Sequence, residues 1–365
     1  MTVLARGTVR TGGRVLPDGW VLLRGAEVLR VGDGPAPHAD ETVTGAHVVP
    51  GFVDLHCHGG GGASFGGSAE EAATAVAAHR AHGTTTLVAS LVTRPVGELA
   101  AALAACADLV ADGLLAGVHL EGPWLSPAHR GAHDPALLRE PDPADLDRLL
   151  GTGLVRVVTL APELPGGLEA VRRTVAAGAV AALGHTAADA ATTARAVDAG
   201  ARLATHLFNA MPPLHHRAPG PVGALLADER VVVELIADGV HLDPAVLALA
   251  ARAAGPGRTA LVTDAMAAAG SADGTYRLGD LDVEVSGGTA RLAEGGAIAG
   301  STLTLDRALR HAVADAGLEL GAALAALTTT PAAVLGRTDV GHLEVGATGG
   351  AVVLDADLHL LRVLA

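Results

Sequence analysis

The sequence predicts an α/β protein: a (β/α)8 TIM-like barrel with a small β-sandwich domain built from both chain ends. Eight short apolar strand patterns, the Ala-rich helical patterns between them and β-rich segments at both termini support this fold class. Eight βα units in the middle of a 365-residue chain fit a closed barrel better than a doubly wound sheet.

The barrel strands are predicted where Val and Leu form short continuous runs, because parallel strands covered by helices are buried on both faces. These runs lie at 51–57, 84–90, 115–121, 155–161, 180–185, 202–206, 231–238 and 259–264. Helical spacing of apolar residues predicts helices at 69–82, 97–110, 167–177, 189–199 and 244–253. A β-hairpin insertion at 276–292, within about 275–297, precedes a predicted last helix at 303–316.

Both chain ends consist of short alternating strands separated by glycine-rich turns. The predicted strands are 4–10, 19–24 and 27–31 near the start, and 351–354 and 360–361 near the end. Neither end has enough strands to bury a sheet face alone. We therefore expect residues 1–50 plus 338–365 to form the small β domain, and residues 51–337 to form the barrel with the insertion.

Composition and charge exclude several classes of partner. The net charge of −14 argues against a nucleic-acid or anionic-membrane surface. The start of the chain lacks a signal-peptide pattern and no long apolar run occurs, so we expect a cytoplasmic protein. The two cysteines, Cys57 and Cys106, cannot build a disulfide framework. Because only 2% of residues are aromatic, the core is expected to consist of Val, Leu and Ala.

The chain contains no lysine, and all 25 of its basic residues are arginine. A composition bias towards Arg, Ala and Gly explains this absence. The absence still excludes a Schiff base, a P-loop lysine, a pyridoxal-phosphate anchor and a carbamylated-lysine metal bridge. If a carboxylate bridges or anchors metal ions here, Glu121 is the residue available.

Titratable residues cluster at the predicted strand ends, which lie around one mouth of a barrel. They are His56, His58, Glu121, His185, His206, Asp238, His241 and Asp264. Imidazole and carboxylate groups suit a divalent ion such as zinc. Each histidine alone is as consistent with packing or solvent exposure, and an aspartate at a strand end can instead cap a helix. The convergence of the whole set predicts a metal site, with Asp264 as general base and Cys57, on the alternate face of its strand, as a packing residue.

Eight motifs carry a family resemblance in order along the chain. They are PGFVDLHCHG (50–59), HLEGPW (119–124), GAHDP (131–135), GHT (184–186), THLFNAMP (205–212), IADGVH (236–241), LVTDAM (261–266) and AGSTLT (299–304). In these motifs the chain resembles the N-acetylglucosamine-6-phosphate deacetylase family of the amidohydrolase superfamily. The H-x-H pair marks only the superfamily, whereas HLEGP together with HLFNAMP is specific to the family.

The resemblance implies a role for each matching residue. Glu121, His185 and His206 match the main metal site; His56 and His58 match an H-x-H pair that holds a second ion in some members. Asp264 matches the catalytic aspartate, and His133 matches a histidine near the reacting acetamide. The implied substrate-binding residues are Ala132, His133, Asn209, Ala210, Arg217, Asp238, His241, Ile298 and Ala299.

The implied reaction is hydrolysis of N-acetyl-D-glucosamine 6-phosphate to D-glucosamine 6-phosphate and acetate. The implied cofactor is one or two divalent ions, zinc first and iron or another transition metal as alternatives, and the implied assembly is a homodimer. Without lysine, an arginine fork such as Arg217 and backbone N–H groups must hold the phosphate. The alternatives are a deacetylase of N-acetylgalactosamine 6-phosphate or of another phosphorylated amide, and a catalytically silent scaffold barrel.

Overall fold

A central sheet of eight parallel strands, in sequential order, organises the computed structural model, which describes residues 1–365. All eight predicted strands are present. They are Phe52–Cys57 (β1), Thr84–Val92 (β2), Gly117–Glu121 (β3), Val155–Leu160 (β4), Val180–Leu183 (β5), Leu203–Ala204 (β6), Val232–Ile236 (β7) and Thr259–Val262 (β8). Strand β1 is buried at every position, as a strand between helices and a barrel interior must be.

The carboxyl end of the sheet is closed between β1 and the segment after β8. The main-chain N–H of Asp264 donates to the carbonyl of His56 at 2.8 Å, and the N–H of His58 donates to the carbonyl of Ala265 at 2.7 Å. These two bonds tie three of the predicted site residues to one rim of the barrel.

Eight helices surround the sheet, and each of the predicted helices is present. They are Ala69–Ala81 (α1), Val96–Ala111 (α2), Pro143–Leu150 (α3), Gly167–Ala176 (α4), Ala190–Asp198 (α5), Gly220–Ala227 (α6), Pro244–Ala254 (α7) and Leu305–Arg310 (α8). Helix α8 continues as a π-helical turn, His311–Asp315, and Leu320–Leu327 (α9) and Thr329–Val334 (α10) follow. Side-chain caps begin five of the helices, at Ser68, Asp142, Asp189, Asp243 and Glu319.

Both chain ends contribute to one six-stranded sheet, as the sequence predicted. In sheet order its strands are Leu360–Leu364, Ala351–Leu354, Glu41–Pro50, Val3–Thr11, Arg14–Arg24 and Glu27–Asp33. The unpredicted strand Glu41–Pro50 pairs with a strand from each end and so joins them into one continuous sheet. The expected sandwich is thereby refined to a single sheet with its own apolar cluster, which includes Val9, Val48 and Val353.

The insertion after β8 has three strands, so the predicted hairpin is wrong in strand number. Gly274–Leu278, Leu281–Ser286 and Thr289–Leu292 pair antiparallel in sequence order. Gly287 and Gly288 have φ of 58° and 74°, which allows a second tight turn inside the run taken as one hairpin arm. Leu278 packs in one cluster with Met266 and Ala299, which places this sheet against the barrel mouth.

The buried core has the composition expected from the low aromatic content. Val, Leu and Ala dominate it, with Trp124, Phe52 and Phe65 as the largest fully buried side chains. None of the helices has both the length and the apolar character that a bilayer span requires.

Candidate metal centre

The structure brings the five predicted metal ligands together at the carboxyl mouth of the barrel. Glu121 Oε1 lies 3.1 Å from His185 Nε2 and 3.0 Å from His206 Nε2. Glu121 Oε2 lies 3.1 Å from His58 Nε2, and Oε1 lies 3.5 Å from His56 Nε2. All five side chains are buried. Side chains at the ends of different strands therefore lie together, and their role as metal ligands stays a prediction.

Two groups of three candidate ligands share Glu121. One contains His56 and His58 and the other contains His185 and His206, with donor atoms within 4.8 Å of one another in each group. The Nε2 atoms are 3.1 Å apart in the first pair and 3.0 Å apart in the second. Imidazole nitrogens that converge on a buried carboxylate, without thiolates, fit a borderline divalent ion. The residues therefore fit one or two such ions.

Hydrogen bonds at Nδ1, the ring nitrogen that points away from Glu121, orient the Nε2 atoms of two of the histidines. The Nδ1 atom of His58 is 3.1 Å from the Ser90 carbonyl, and that of His185 is 2.9 Å from the His129 carbonyl. Carbonyls only accept, so each Nδ1 carries the hydrogen and each Nε2 presents a lone pair to the centre. An outer acceptor of this kind is the usual support of a metal-binding histidine.

Backbone strain is concentrated at the same strand ends. Six non-glycine residues have positive φ, and five of them lie in or beside the centre: His185, His206, Phe208, Ala210 and Asp264. Such conformations cost of order 1–3 kcal/mol each and persist where the surrounding structure imposes them. These conformations therefore lower the local stability, and they orient the side chains towards the mouth of the barrel.

Asp264 faces the first group of ligands from the end of β8. Its Oδ1 lies 3.3 Å from the Nε2 atoms of both His56 and His58. Burial alone would raise the pKa of Asp264, but the charge of His56 and the hydrogen bond and charge of His58 outweigh it and lower the pKa. Asp264 is thus an ionised carboxylate that can accept a proton.

His133 reaches the centre from the loop after β3. Its Nε2 lies 3.4 Å from Glu121 Oε2. The main-chain N–H of Thr93 donates to its Nδ1 at 3.3 Å, which leaves the hydrogen on Nε2. Burial lowers the pKa of His133, despite its hydrogen bond to Glu121. The ring is therefore neutral near neutral pH and directs an N–H group into the mouth.

A cavity of about 240 Å³ opens above the ligands. Most of the predicted site residues line it: His58, Glu121, Ala132, His133, His185, His206, Asn209, Ala210, His241, Asp264 and Ile298. Val92, Gly131, Leu278, Ala297 and Gly300 also line it and were not predicted. Leu278 and Ala297 line the cavity because the insertion packs against the barrel mouth, and no local sequence pattern predicts this packing.

Four predicted site residues do not line the cavity. His56 is fully buried beneath it, and Ala299 is fully buried beside Ile298. The Asp238 carboxylate is 2.7 Å from His241 Nδ1, so it supports a cavity residue from outside. Arg217 is exposed, and its Nη1 is 2.7 Å from His216 Nε2. The structure therefore does not bring the Arg217 guanidinium into the cavity.

Sequence reasoning missed one charged residue next to the ligands, Glu234. Its Oε2 lies 3.2 Å from His56 Nδ1 and accepts the main-chain N–H of His206 at 3.2 Å. A usable signal was present, since an acid interrupts the apolar run VVVELI of β7. Cys57 occupies the other face of β1, as expected, with its Sγ 3.2 Å from His79 Nε2.

Fold and site together define a (β/α)8 barrel with a histidine–carboxylate centre at its mouth, the architecture of a metal-dependent hydrolase. The Amidohydrolase family model matches residues 47–364. The chain belongs to the amidohydrolase family.

Individual relatives agree with this assignment over nearly the whole chain. The chain is 40% identical over 334 residues to N-acetylglucosamine-6-phosphate deacetylase of Bos taurus, covering 87% of this chain and 81% of the relative. It is 39% identical over 349 residues to N-acetylgalactosamine-6-phosphate deacetylase of Escherichia coli O157:H7, covering 92% of each. Among solved structures, N-acetyl-D-glucosamine-6-phosphate deacetylase from Mycobacterium smegmatis is 48% identical with a TM-score of 0.94, covering 100% of this chain and 98% of that one.

Proposed function

We propose that the protein hydrolyses the acetamide of N-acetyl-D-glucosamine 6-phosphate, releasing D-glucosamine 6-phosphate and acetate. One observation carries the proposal: Asp264 Oδ1 lies 3.3 Å from the Nε2 atoms of two of five buried candidate ligands, at the floor of a small cavity. The relatives support the substrate class, since a variant of the Mycobacterium smegmatis enzyme, with a TM-score of 0.95 to this chain, is in complex with N-acetyl-D-glucosamine-6-phosphate.

The centre would be held by Glu121, His185 and His206, and by His56 and His58 with Glu121 for a second ion. A divalent ion, when bound, supplies Lewis acidity that polarises a carbonyl and makes a water molecule more acidic. We expect zinc, with iron or another transition metal as alternatives, because nitrogen and carboxylate ligands accept all of these. A homodimer is expected on resemblance alone, and a cytoplasmic location stays a prediction.

The proton transfers are assigned to the chain's own residues. Asp264 accepts the proton of the attacking water, and the water oxygen adds to the acetyl carbon. Asp264 then returns the proton to the nitrogen, so that the C–N bond breaks to a neutral amine rather than to an amide anion. The Nε2–H of His133 is positioned to donate to the carbonyl oxygen as negative charge develops there.

Substrate recognition is assigned to the polar groups around the cavity. Asn209 donates through its side-chain amide to the His206 carbonyl at 3.1 Å, which fixes it beside a ligand. Asn209, the Ala210 main chain and His241 are the candidates for the sugar phosphate, because the cavity contains no arginine or lysine. Arg217 stays a predicted phosphate contact, and this role requires its side chain to leave His216.

A second candidate function is deacetylation of N-acetylgalactosamine 6-phosphate. The Escherichia coli O157:H7 relative of that name favours it, with 92% coverage of both chains. The two sugars differ only in the configuration at C4, and the chemistry at the acetamide is the same. Side-by-side kcat/KM values on the two substrates decide between them.

Acetate release tests the proposed function. Chelator-treated protein is assayed with N-acetyl-D-glucosamine 6-phosphate before and after Zn²⁺, Fe²⁺, Mn²⁺ or Co²⁺ is added back. We expect no turnover after chelation, recovery with at least one of these ions, and far less acetate from the unphosphorylated sugar. Metal-replete protein that releases no acetate from either sugar phosphate contradicts the proposal.

A further inference from the structure

Glu234 is a buried acid in the middle of the apolar strand β7. It is 1% exposed, and its neighbours Val233 and Leu235 are fully buried. A carboxylate in such a place is costly unless hydrogen bonds or charges compensate it. One of its oxygens, Oε1, is buried without any hydrogen-bond partner. Packing therefore gives no reason for an acid at this position.

The other oxygen contacts both groups of metal ligands. Glu234 Oε2 lies 3.2 Å from His56 Nδ1 and 3.2 Å from the main-chain nitrogen of His206. An ionised carboxylate can only accept, so His56 must donate from Nδ1. The Nε2 of His56 then presents a lone pair towards Glu121 and Asp264, where a ligand atom is needed.

His56 differs from the other candidate ligands in the nature of this outer support. Main-chain carbonyls hold His58 and His185, and the Nδ1 of His206 has no partner. Only His56 is held by a carboxylate side chain, which makes an imidazole a stronger ligand than a neutral carbonyl does. The support of His56 can therefore be removed by substitution.

We propose that Glu234 is a positioning residue that sets the metal affinity of the group formed by His56, His58 and Glu121. The inference rests on the proposed metal centre and adds a residue that acts on it through His56. Glu234 touches the group formed by Glu121, His185 and His206 only through the main chain of His206, so we expect the side-chain geometry of that group to change less when Glu234 is replaced.

The substitution Glu234→Gln keeps the shape and removes the charge. The glutamine oxygen can take the place of Oε2 and accept from His56 Nδ1 and from the His206 N–H, but it lacks the negative charge that makes the imidazole a stronger ligand. We expect the affinity of the first group to fall by about 10- to 100-fold, as for other outer supports of metal ligands. The affinity of the second group should change far less.

Cadmium NMR with calorimetric titration of Cd²⁺ resolves the two groups. His58→Ala and His185→Ala identify the resonance of each group in the full chain. Thr159→Val is the matched control: Thr159 is fully buried in the same barrel interior, and its hydroxyl bonds only His119 and Thr205. Glu234→Asp keeps a carboxylate and serves if Glu234→Gln does not fold.

We expect two resonances in the wild type. In Glu234→Gln, the Cd²⁺ affinity of the group whose resonance is lost in His58→Ala should fall selectively. In Glu234→Asp, the affinity of that group should be intermediate. Each of four results would overturn the inference. They are unchanged affinities in Glu234→Gln, an equal loss of affinity at both groups, the same loss in Thr159→Val, and weaker binding in Glu234→Asp than in Glu234→Gln. A single wild-type resonance that His58→Ala leaves intact also overturns it. In that case acetate release, measured separately, still decides the proposed deacetylation.

Discussion

At the scale of single residues, the site depends on side chains that hold other side chains. The Asp238 carboxylate contacts His241 Nδ1 at 2.7 Å and also accepts the main-chain N–H of His241 at 2.8 Å. Burial lowers the pKa of His241, but the hydrogen bond and charge of Asp238 outweigh it and raise the pKa. His241 therefore keeps its positive charge above its ordinary pKa of 6.5, which suits a phosphate ligand.

Replacing Asp238 with Asn should weaken substrate binding in a pH-dependent way. Without the carboxylate, burial dominates and lowers the pKa of His241, so the ring is neutral at about pH 7.5 but still partly protonated at about pH 5.5. We expect the ratio of variant to wild-type KM to be larger at the higher pH, with kcat less affected. Asp228→Asn, which breaks an ion pair with Arg230 at the surface, is the control. Equal KM ratios at both pH values would contradict this role for His241.

At the scale of elements, apolar patterns predicted the eight barrel strands because each is buried on both faces. Polar side chains at the strand ends then located the candidate ligands. The strand Glu41–Pro50 was not predicted, since it pairs with both chain ends and its first half alternates partly exposed with exposed residues. Helix α3 was not predicted either, although its start has a signal that capping rules recognise: Pro143 follows the N-cap residue Asp142.

The capping box at the start of α1 should make a measurable contribution to stability. Ser68 Oγ accepts the N–H of Glu71 at 3.2 Å, and the Glu71 carboxylate accepts the N–H of Ser68 at 2.8 Å. We expect Ser68→Ala to lower the free energy of unfolding by about 1 kcal/mol in urea denaturation. Ser64→Ala, outside the helix, should have a smaller effect. A Ser68→Ala variant as stable as wild type would show that the cap is dispensable.

At the scale of the whole molecule, the site is assembled from parts that are distant in sequence. The rule that parallel strands end at one mouth was sufficient to bring His56, Glu121, His206 and Asp264 together. The cavity wall formed by the insertion was not predictable, because it depends on how a three-stranded sheet docks on the barrel. The division into residues 1–50 plus 338–365 and residues 51–337 stays a prediction.

Removal of bound metal should destabilise the whole fold. An ion that binds only the folded state stabilises it by about 2.7 kcal/mol at a free concentration of 100 times its Kd. We expect a chelator to lower the Tm by several degrees in calorimetry, and added Zn²⁺ to restore it. The double variant His185→Ala with His206→Ala should show a much smaller shift. A Tm that is insensitive to chelation in metal-loaded wild type would contradict a metal centre.

The most direct test of the proposed hydrolysis is acetate release by Asp264→Asn at a metal content equal to that of wild type. The substituted asparagine would keep the size of the side chain, but its amide could not accept a proton from water at neutral pH. With N-acetyl-D-glucosamine 6-phosphate, we expect kcat to fall by roughly 100-fold or more while the metal content is unchanged. Turnover close to wild type in the metal-replete variant would contradict the assignment of Asp264 as the proton-transfer residue.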